Sequence, residues 1–398
     1  MGFWTLDDID VEGKTVIVRA GMDVSVDDEG NLLDDKRVVA CMPTIQNLIT
    51  RRAKVVLMLH IGRPKGKVVE RLKTDNVAKR LSRFMYRDIE KLDSCVGEKV
   101  RERVKRMKPG DIIFLENLRF HEGEKKNDPE FAKELASLGD IYVNECFSVS
   151  HRNHASMVGI PQHIPGVAGY GLKKELEILG RCMEKPKRPM VAVVGGVKAD
   201  KMNALKKLLE KADYVLVGGG LSLLLLKNKG YRIGNSKFDD VWLNSGTDLK
   251  SITENKKVVL PEDFIVANEF SENAESKIVP KDGIEDGWLA LDIGPETIEK
   301  YKEILQKART IIWAGPMGVF EWEKFSNGTK EIAKFIAHSD ALSVVGGGES
   351  ASAAEKFRVA DRMTHVSTGG GAFLEFIANG GLPGVEALVI SKEKFGGG

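Results

Sequence analysis

The feature that most constrains the fold is an alternation of short β-branched apolar runs with stretches of helical apolar spacing. Ten such runs occur, at Thr15–Val18, Val55–Leu59, Ile112–Leu115, Ile141–Val143, Met190–Val194, Tyr214–Val217, Val258–Leu260, Thr310–Trp313, Leu342–Val345 and Thr364–Val366. Continuous apolar strands are typical of parallel sheets that helices cover on both faces. The alternation therefore predicts an α/β protein of doubly wound, Rossmann-like parallel sheets rather than one barrel.

The length indicates more than one domain. A chain of 398 residues exceeds the ~150 residues that one hydrophobic core usually organises. An apolar stripe at helical spacing runs through Tyr170–Glu184, and a Pro- and Lys-rich stretch, Lys185–Pro189, follows it. We therefore predict an N-terminal lobe over residues 1–170, an interdomain helix over 171–185 that acts as a hinge, and a C-terminal lobe over 186–380.

The overall charge excludes some partners. The 60 Lys and Arg nearly balance 58 Asp and Glu, so the net charge of +2 gives no general attraction to nucleic acid or membrane surfaces. No apolar run approaches the ~20 residues that span a bilayer. The four cysteines lie far apart without a C-x-x-C pair, which favours neither a disulfide framework nor a zinc site. We expect a cytoplasmic protein with small-molecule substrates, no nucleic acid partner and no membrane partner.

Basic side chains in the first half follow the predicted strands or lie in loops: Arg19, Arg37, His60, Arg63, Arg119, His121, His151, Arg152 and His154. The carboxyl ends of parallel strands converge on one crevice, where several guanidinium groups would form an anion site. Any one of these residues could instead be solvated or cap a helix. His151 and His154 lack a further Cys or carboxylate that would complete a metal site.

The second half carries glycine clusters directly after apolar strands: Gly195-Gly196, Gly218–Gly220, Gly315–Gly318, Gly346–Gly348 and Gly369–Gly371. Such turns let a ligand approach the backbone, and the helices that follow present free N–H groups to phosphate. The clusters predict a nucleotide site. None is a G-x-x-x-x-G-K-[ST] loop, and none has the full dinucleotide fingerprint.

Three charged residues accompany these clusters. Lys198 and Lys201 would place positive charge on the nucleotide phosphates. Glu349 follows Gly346–Gly348, where a carboxylate could hold a nucleotide-bound Mg²⁺ ion. The alternative for Glu349 is a first-turn glutamate that the helix dipole favours.

Read in order, these segments resemble the phosphoglycerate kinase family over essentially the whole chain. The matching stretches are HIGRPKG, LENLRFHEGEKKNDPEFAKELASLGDIYVNE, SHRNHAS, GGVKADK, DGWLALDIGPET, WAGPMGVFE, VVGGGES and VSTGGGAFLEF. The resemblance implies a glycolytic enzyme that moves a phosphoryl group reversibly between ATP and the carboxylate of 3-phosphoglycerate. We expect a monomer, since nothing in the sequence requires an oligomer. It implies an N-terminal lobe for 3-phosphoglycerate, a C-terminal lobe for Mg-ATP or Mg-ADP, and a tail over 381–398 that returns to the first lobe.

The resemblance also assigns residues by position. The expected substrate residues are Gly21, Asp23, Arg37, His60, Arg63, Arg119 and Arg152. The expected nucleotide residues are Gly195, Gly196, Lys198, Lys201, Gly219, Gly294, Pro316, Glu321, Gly346, Gly347, Gly348, Glu349 and Ser350. The expected catalytic residues are Arg37, Lys198, Gly348 and Gly371, and the expected metal ligand is Glu349.

Several positions depart from the family pattern. The family's R-V-D-F-N stands here as Arg19–Asp23, so that a carboxylate is missing at Gly21 and Asp23 replaces an asparagine. Its N-D-A-F-G-T-A-H-R loop is altered at five positions of Asn144–Arg152, and its W-N-G-P is Trp313–Pro316 with alanine for asparagine. GGVKADK is one residue shorter than its counterpart, and Glu349 replaces an aspartate.

The expected mechanism depends on positioning and charge stabilisation, because a carboxylate is already a nucleophile and needs no general base. With the substrates on different lobes, closure about the interdomain helix would exclude water. Three alternatives remain open: a catalytically weakened nucleotide- or metabolite-sensing homologue, a kinase for another phosphorylated carboxylic acid, and a dinucleotide dehydrogenase, which the missing fingerprint disfavours.

Overall fold

The computed structural model describes residues 2–197, 201–243 and 246–397, which form two compact α/β units. The first unit is Met1–Glu177 together with Gly381–Gly398, and the second is Ile178–Gly380. The division falls inside a helix, Tyr170–Glu184. The predicted α/β fold class with two parallel-sheet lobes is confirmed.

The first unit is organised by a seven-stranded parallel sheet. Its strands are β1 (Trp4–Thr5), β2 (Thr15–Ala20), β3 (Lys54–Met58), β4 (Glu90–Lys91), β5 (Ile112–Phe114), β6 (Ile141–Glu145) and β7 (Gly166–Ala168). Its helices are α1 (Lys36–Thr50), α2 (Asp75–Met85), α3 (Glu98–Lys105), α4 (Glu122–Lys126) and α5 (Pro129–Ala136). Every residue of β2 is buried, as expected for a strand that is covered on both faces.

The helix α6 (Tyr170–Glu184) leads into the second unit. The strands that follow are β8 (Met190–Val194), β9 (Tyr214–Val217), β10 (Val258–Val259), β11 (Asp263–Ala267), β12 (Ser276–Pro280), β13 (Leu289–Ile293), β14 (Thr310–Ala314), β15 (Leu342–Val345) and β16 (His365–Val366). The helices of the second unit are α7 (Lys201–Lys211), α8 (Gly219–Asn228), α9 (Leu249–Thr253), α10 (Pro295–Leu305), α11 (Asn327–Ala337), α12 (Gly348–Lys356) and α13 (Gly370–Asn379). The helix after them, α14 (Pro383–Phe395), belongs to the first unit.

The strand orders locate a crevice in each unit. The first sheet has the order β1-β7-β6-β2-β3-β5-β4, and the main sheet of the second unit has the order β10-β9-β8-β14-β15-β16. The strands β3, β4 and β5 lie on one side of β2, and β6 lies on its other side. In the second unit, β9 and β10 lie on one side of β8, and β14 lies on its other side. Ligands in such sheets bind beyond the carboxyl ends of these two central strands.

A three-stranded antiparallel sheet, β12-β11-β13, also belongs to the second unit and was not predicted. All ten apolar runs that the sequence singled out lie in or overlap strands of the two parallel sheets. The middle of β12 is exposed, with Ile278 on the surface, so its sequence lacks the continuous apolar character of a covered strand.

The C-terminal helix α14 packs within the first unit. Gly166 N donates a hydrogen bond to Ser391 Oγ at 2.8 Å, and Lys394 Nζ donates one to Gln162 O at 2.7 Å.

Across the described ranges, no single helix is long and apolar enough to cross a membrane; only α13 and α14 taken together have enough length and apolar character. All four cysteines are buried as free thiols.

A buried carboxyl group, Glu145, holds the start of α6. Its Oε2 accepts a hydrogen bond from Thr44 Oγ1 at 2.9 Å, and its Oε1 accepts one from Gly171 N at 2.8 Å. Burial raises the pKa of Glu145 to about 7, although both hydrogen bonds lower it. The space for the carboxyl group depends on Gly169 and Gly171, since a Cβ on either would lie within 2.3 Å of a carboxylate oxygen.

This group makes stability depend on pH. Because folding raises the pKa of Glu145 from 4.5 to about 7, its contribution is complete below about pH 4.5 and is lost as the pH rises to about 7. The loss amounts to about 3 kcal/mol. In Glu145→Gln the amide oxygen can still accept from Gly171 N, and the NH2 group can donate to Thr44 Oγ1. The amide does not titrate, so the free energy of unfolding of this variant relative to wild type should rise between pH 4.5 and pH 8.

Urea unfolding of the two proteins at both pH values measures this difference, and all other titrating groups cancel between them. Glu130→Gln, which changes an exposed carboxylate of the same unit, is the control. An equal difference between Glu145→Gln and wild type at the two pH values would show that Glu145 titrates normally.

Candidate active site

A buried guanidinium, Arg19, fixes His60 near the crevice of the first unit. Arg19 lies in β2, and its Nη2 contacts His60 Nδ1 at 2.8 Å. A guanidinium can only donate, so Nδ1 accepts and the ring hydrogen lies on Nε2. Burial, and then the charge of Arg19, lowers the pKa of His60 well below its ordinary value. His60 is therefore a neutral hydrogen-bond donor through Nε2.

The charge of Arg19 is compensated within the same unit. Its Nε donates to Ser156 Oγ at 3.0 Å, and Ser156 Oγ donates to Glu124 Oε1 at 2.6 Å. Both Arg19 and Glu124 are fully buried, and such charges persist inside a protein only when they are paired or hydrogen-bonded. Nearby His154 has a pKa of about 3, because of burial and then the charge of Arg119. Arg19, which fixes His60, thus belongs to a fixed polar network.

The predicted basic side chains share one electrostatic environment. They are Arg37, His60, Arg63, Arg119 and Arg152, and are called the basic cluster below. After burial and Arg19, the charges of Arg119 and Arg37 also lower the pKa of His60. Arg119 itself has a lowered pKa because of burial, then Arg19, with Arg63 contributing. Arg152 contributes to the lowered pKa of His154. This concentration of positive charge suits an anion with several negative groups.

An acidic side chain lies at the basic cluster. Asp23 Oδ1 accepts hydrogen bonds from Arg37 Nη1 and from Ser148 Oγ, the latter at 3.0 Å. Gly21 follows β2, and a Cβ there would lie 2.9 Å from Glu145 O, so a side chain at this position would require the backbone to shift. The basic cluster keeps one carboxylate here, on Asp23.

The second unit contains a cavity of about 780 Å³, which we call the glycine cavity. Its lining consists of Lys201, Phe320, Glu321, Gly347, Gly348, Glu349, Ser350, Ser352, Lys356, Gly370, Gly371 and Leu374. The first residues of α12 and α13 lie close together: a Cβ built on Gly370 would lie 3.2 Å from Gly348 N. Two helix N-termini therefore open onto one cavity, which is a strong arrangement for binding phosphate.

A buried lysine faces the same cavity. Lys201 is 4% exposed, and its Nζ lies 2.9 Å from Glu349 Oε2. Gly196, after β8, makes room for this pair: its φ is +85°, and a Cβ there would lie 2.2 Å from Lys201 Nζ. The predicted partner Lys198 lies outside the described residues.

A second cavity of about 440 Å³, here called the apolar cavity, adjoins the first. Its lining consists of Gly196, Val197, Gly219, Gly220, Leu223, Lys237, Phe264, Phe270, Ala290, Leu291, Asp292, Pro316, Met317, Gly318, Val319, Glu321, Trp322 and Glu349. Glu321 and Glu349 line both cavities, so an apolar chamber continues into a phosphate-binding one. This combination fits a nucleotide, whose base is flat and whose phosphates are anionic.

Most predicted nucleotide residues line these cavities, and three take other positions. Gly195 packs against Pro316 O, and a Cβ there would lie only 2.0 Å from that oxygen. Gly294 is the N-cap of α10 and packs against Asp263, and Gly346 packs against Phe373. Their roles toward the nucleotide stay predictions. The apolar lining was missed from sequence, because Phe264, Phe270 and Met317 come from distant segments without a shared motif.

The fold and the site define a class of protein. One unit carries a basic cluster that suits a polyanionic acid, and the other carries cavities that suit a nucleotide. This is the arrangement of a nucleotide-dependent phosphotransferase that acts on a small acidic molecule.

Comparison with known proteins identifies the family. The model of the family described as phosphoglycerate kinase matches residues 6–380. The phosphoglycerate kinase of Moorella thermoacetica is 45% identical over 387 residues, covering 96% of this chain and 98% of the relative. That of Pelotomaculum thermopropionicum is 46% identical over 388 residues, with 97% and 98% covered.

Solved structures agree with this result. Phosphoglycerate kinase from Coxiella burnetii superimposes with a TM-score of 0.88 at 36% identity, covering 99% of this chain and 100% of that one. The enzyme from Pyrococcus horikoshii gives a TM-score of 0.82 at 34% identity, with 98% and 100% covered. The chain belongs to the phosphoglycerate kinase family, as the motifs predicted. It is a kinase that transfers a phosphoryl group between ATP and the carboxylate of 3-phosphoglycerate.

Proposed function

We propose that the basic cluster of the first unit binds 3-phosphoglycerate and that the two cavities of the second unit bind ATP or ADP. The observation that carries the proposal is the glycine cavity, where the N-termini of α12 and α13 adjoin beside Lys201 and Glu349. Phosphoryl transfer requires this kind of fixed positive charge around the equatorial oxygens of the transferring group.

On the acid side, Arg37 bridges the attacking carboxylate and the transferring group. Arg63, Arg119 and Arg152 hold the phosphate end through charge-assisted hydrogen bonds. His60 adds a hydrogen bond from Nε2 and no charge. Because the carboxylate attacks directly, no side chain has to remove a proton.

On the nucleotide side, the N–H groups at Gly348 and Gly371 and the ammonium of Lys201 stabilise the phosphoryl group during transfer. Lys198 keeps the same predicted role. The apolar cavity would take the base, and Glu321, which lines both cavities, would contact the ribose. Excluding water from this site suppresses hydrolysis of ATP.

Glu349 would hold the Mg²⁺ ion that accompanies the nucleotide. Within the described parts of the chain, no group of three or more His, Cys, Asp or Glu could hold a metal by itself. The single carboxylate of Glu349 suits a nucleotide-borne ion, because Mg²⁺ in kinases takes one or two carboxylates and completes its shell with phosphate oxygens and water. Glu349 lines the cavity with its side chain 36% exposed. When bound, the ion would neutralise phosphate charge.

A coupled assay of ATP consumption tests these assignments. We expect turnover to require both 3-phosphoglycerate and Mg²⁺, and Glu349→Gln to need a higher Mg²⁺ concentration, by about tenfold, for half-maximal rate. Glu355→Gln, a change on the same helix outside both cavities, is the control. ATP consumption that does not depend on 3-phosphoglycerate would refute the assignment of the acid substrate. An unchanged Mg²⁺ requirement in Glu349→Gln would refute the assignment of Glu349 to the metal.

The proposal includes expectations about oligomeric state, location, partners and the hinge. The protein acts as a monomer in the cytoplasm, without nucleic acid or membrane partners. The four buried free thiols support a reducing compartment. The role of α6 as a hinge stays a prediction.

A further inference from the structure

Two side chains that depart from the family pattern contact each other at the basic cluster. Asp23 replaces an asparagine, and Ser148 lies in the altered segment after β6. Ser148 Oγ donates a hydrogen bond to Asp23 Oδ1 at 3.0 Å, although the two residues lie 125 positions apart in the chain. The strands β2 and β6 are neighbours, so their following loops come together at this point.

The same oxygen of Asp23 accepts a hydrogen bond from Arg37 Nη1. The side chains of Arg37 and Asp23 are 29% and 20% exposed, so the pair is largely shielded from water and its attraction is weakened little by screening. Arg37 thus already contacts a carboxylate before any acid binds. A substrate carboxylate or phosphate would offer Arg37 the same chemistry.

We infer that Asp23, held in place by Ser148, is an internal competitor of the acid substrate for Arg37. The acid must displace the Asp23 carboxylate from Arg37, and this exchange weakens its binding. Asp23 therefore sets the concentration range of acid over which the enzyme responds, and Ser148 is a positioning residue that acts through Asp23. The inference rests on the proposed role of Arg37 in acid binding.

Removing the charge of Asp23 tests the competition. Asn at this position can still accept hydrogen bonds from Ser148 and Arg37, but it carries no negative charge. We expect Asp23→Asn to lower Kd and KM for 3-phosphoglycerate by about three- to tenfold, while Kd for ADP stays unchanged. Calorimetric titration and steady-state kinetics measure both. Asp88→Asn, which removes an exposed charge of the same unit, is the matched control and should leave both constants unchanged.

Combined variants separate this inference from the assignment of Arg37. In an Arg37→Ala background, Asp23→Asn should no longer lower Kd for 3-phosphoglycerate, because the guanidinium for which Asp23 and the acid compete is absent. Ser148→Ala should lower Kd for 3-phosphoglycerate by about twofold in wild type and have no effect in Asp23→Asn.

The outcomes are distinguishable. A raised or unchanged Kd in Asp23→Asn, with Arg37→Ala still impaired in acid binding, would overturn the competition and leave the assignment of Arg37 intact. Acid binding that is unaffected by Arg37→Ala would overturn both. An effect of Ser148→Ala that persists in Asp23→Asn would show that Ser148 does not act through Asp23.

Discussion

Replacing Arg37 by alanine is expected to reduce kcat/KM for 3-phosphoglycerate by about 10²–10³-fold. In the proposed site its guanidinium bridges the carboxylate and the transferring group, and removal of one preorganised donor from such a site has an effect of this size. The loss should appear in kcat as well as in KM, because this contact strengthens as charge moves during transfer.

Two further variants show whether the loss is specific to the Arg37 guanidinium. Arg37→Lys keeps the charge but loses the two-pronged geometry, so it should recover only part of the activity. Arg106→Ala removes an arginine that is 75% exposed from the same unit and should behave like wild type. An Arg37→Ala protein with wild-type kcat/KM would exclude Arg37 from the reaction.

Replacing Lys201 by methionine is expected to reduce kcat/KM for ATP by about 10²-fold. Lys201 is 4% exposed, and its ammonium lies in the glycine cavity beside Glu349. In such a shielded position one charge acts on phosphate much more strongly than it would in water. Methionine has a similar length and flexibility, so the change removes mainly the charge.

The control is Lys206→Met, which removes an exposed lysine from the same helix, α7. Its kinetics should match wild type. Loss of the Lys201 ammonium also leaves Glu349 without that partner, so thermal unfolding of both variants is measured beside activity. A folded Lys201→Met enzyme with unchanged kcat/KM for ATP would contradict the nucleotide assignment.

Patterns that lie within one short segment were predictable from sequence. Continuous apolar runs identified four of the seven described strands of the first parallel sheet and all six of the second, because burial on both faces leaves few polar positions in a strand. The short strands β1, β4 and β7 were missed. The Asp128-Pro129 signal marked the start of α5, where Asp128 accepts a hydrogen bond from Phe131 N at 2.8 Å. Glycine clusters after strands indicated the glycine cavity, since such turns serve backbone approach to phosphate.

Features that depend on distant segments were not predictable in this way. In the antiparallel sheet that was missed, only β12 is largely exposed and carries polar residues. Its partners β11 and β13 are mostly buried, and the sequence analysis did not single them out as strands. The apolar cavity forms from side chains without a common motif. In the sequence, Arg19 looked like one more basic residue of the anion site. The structure shows that it is fully buried and contacts His60. The contact of Asp23 with both Arg37 and Ser148 likewise required the three-dimensional arrangement.

The central claim is that each unit binds one substrate. Its most direct test is calorimetric titration of 3-phosphoglycerate and, separately, of Mg-ADP into wild type, Arg37→Ala and Lys201→Met. We predict that Arg37→Ala weakens binding of 3-phosphoglycerate and leaves that of Mg-ADP unchanged, and that Lys201→Met does the reverse. If either variant weakened both ligands equally, or weakened the other unit's ligand instead, the assignment of acid and nucleotide to separate units would be contradicted.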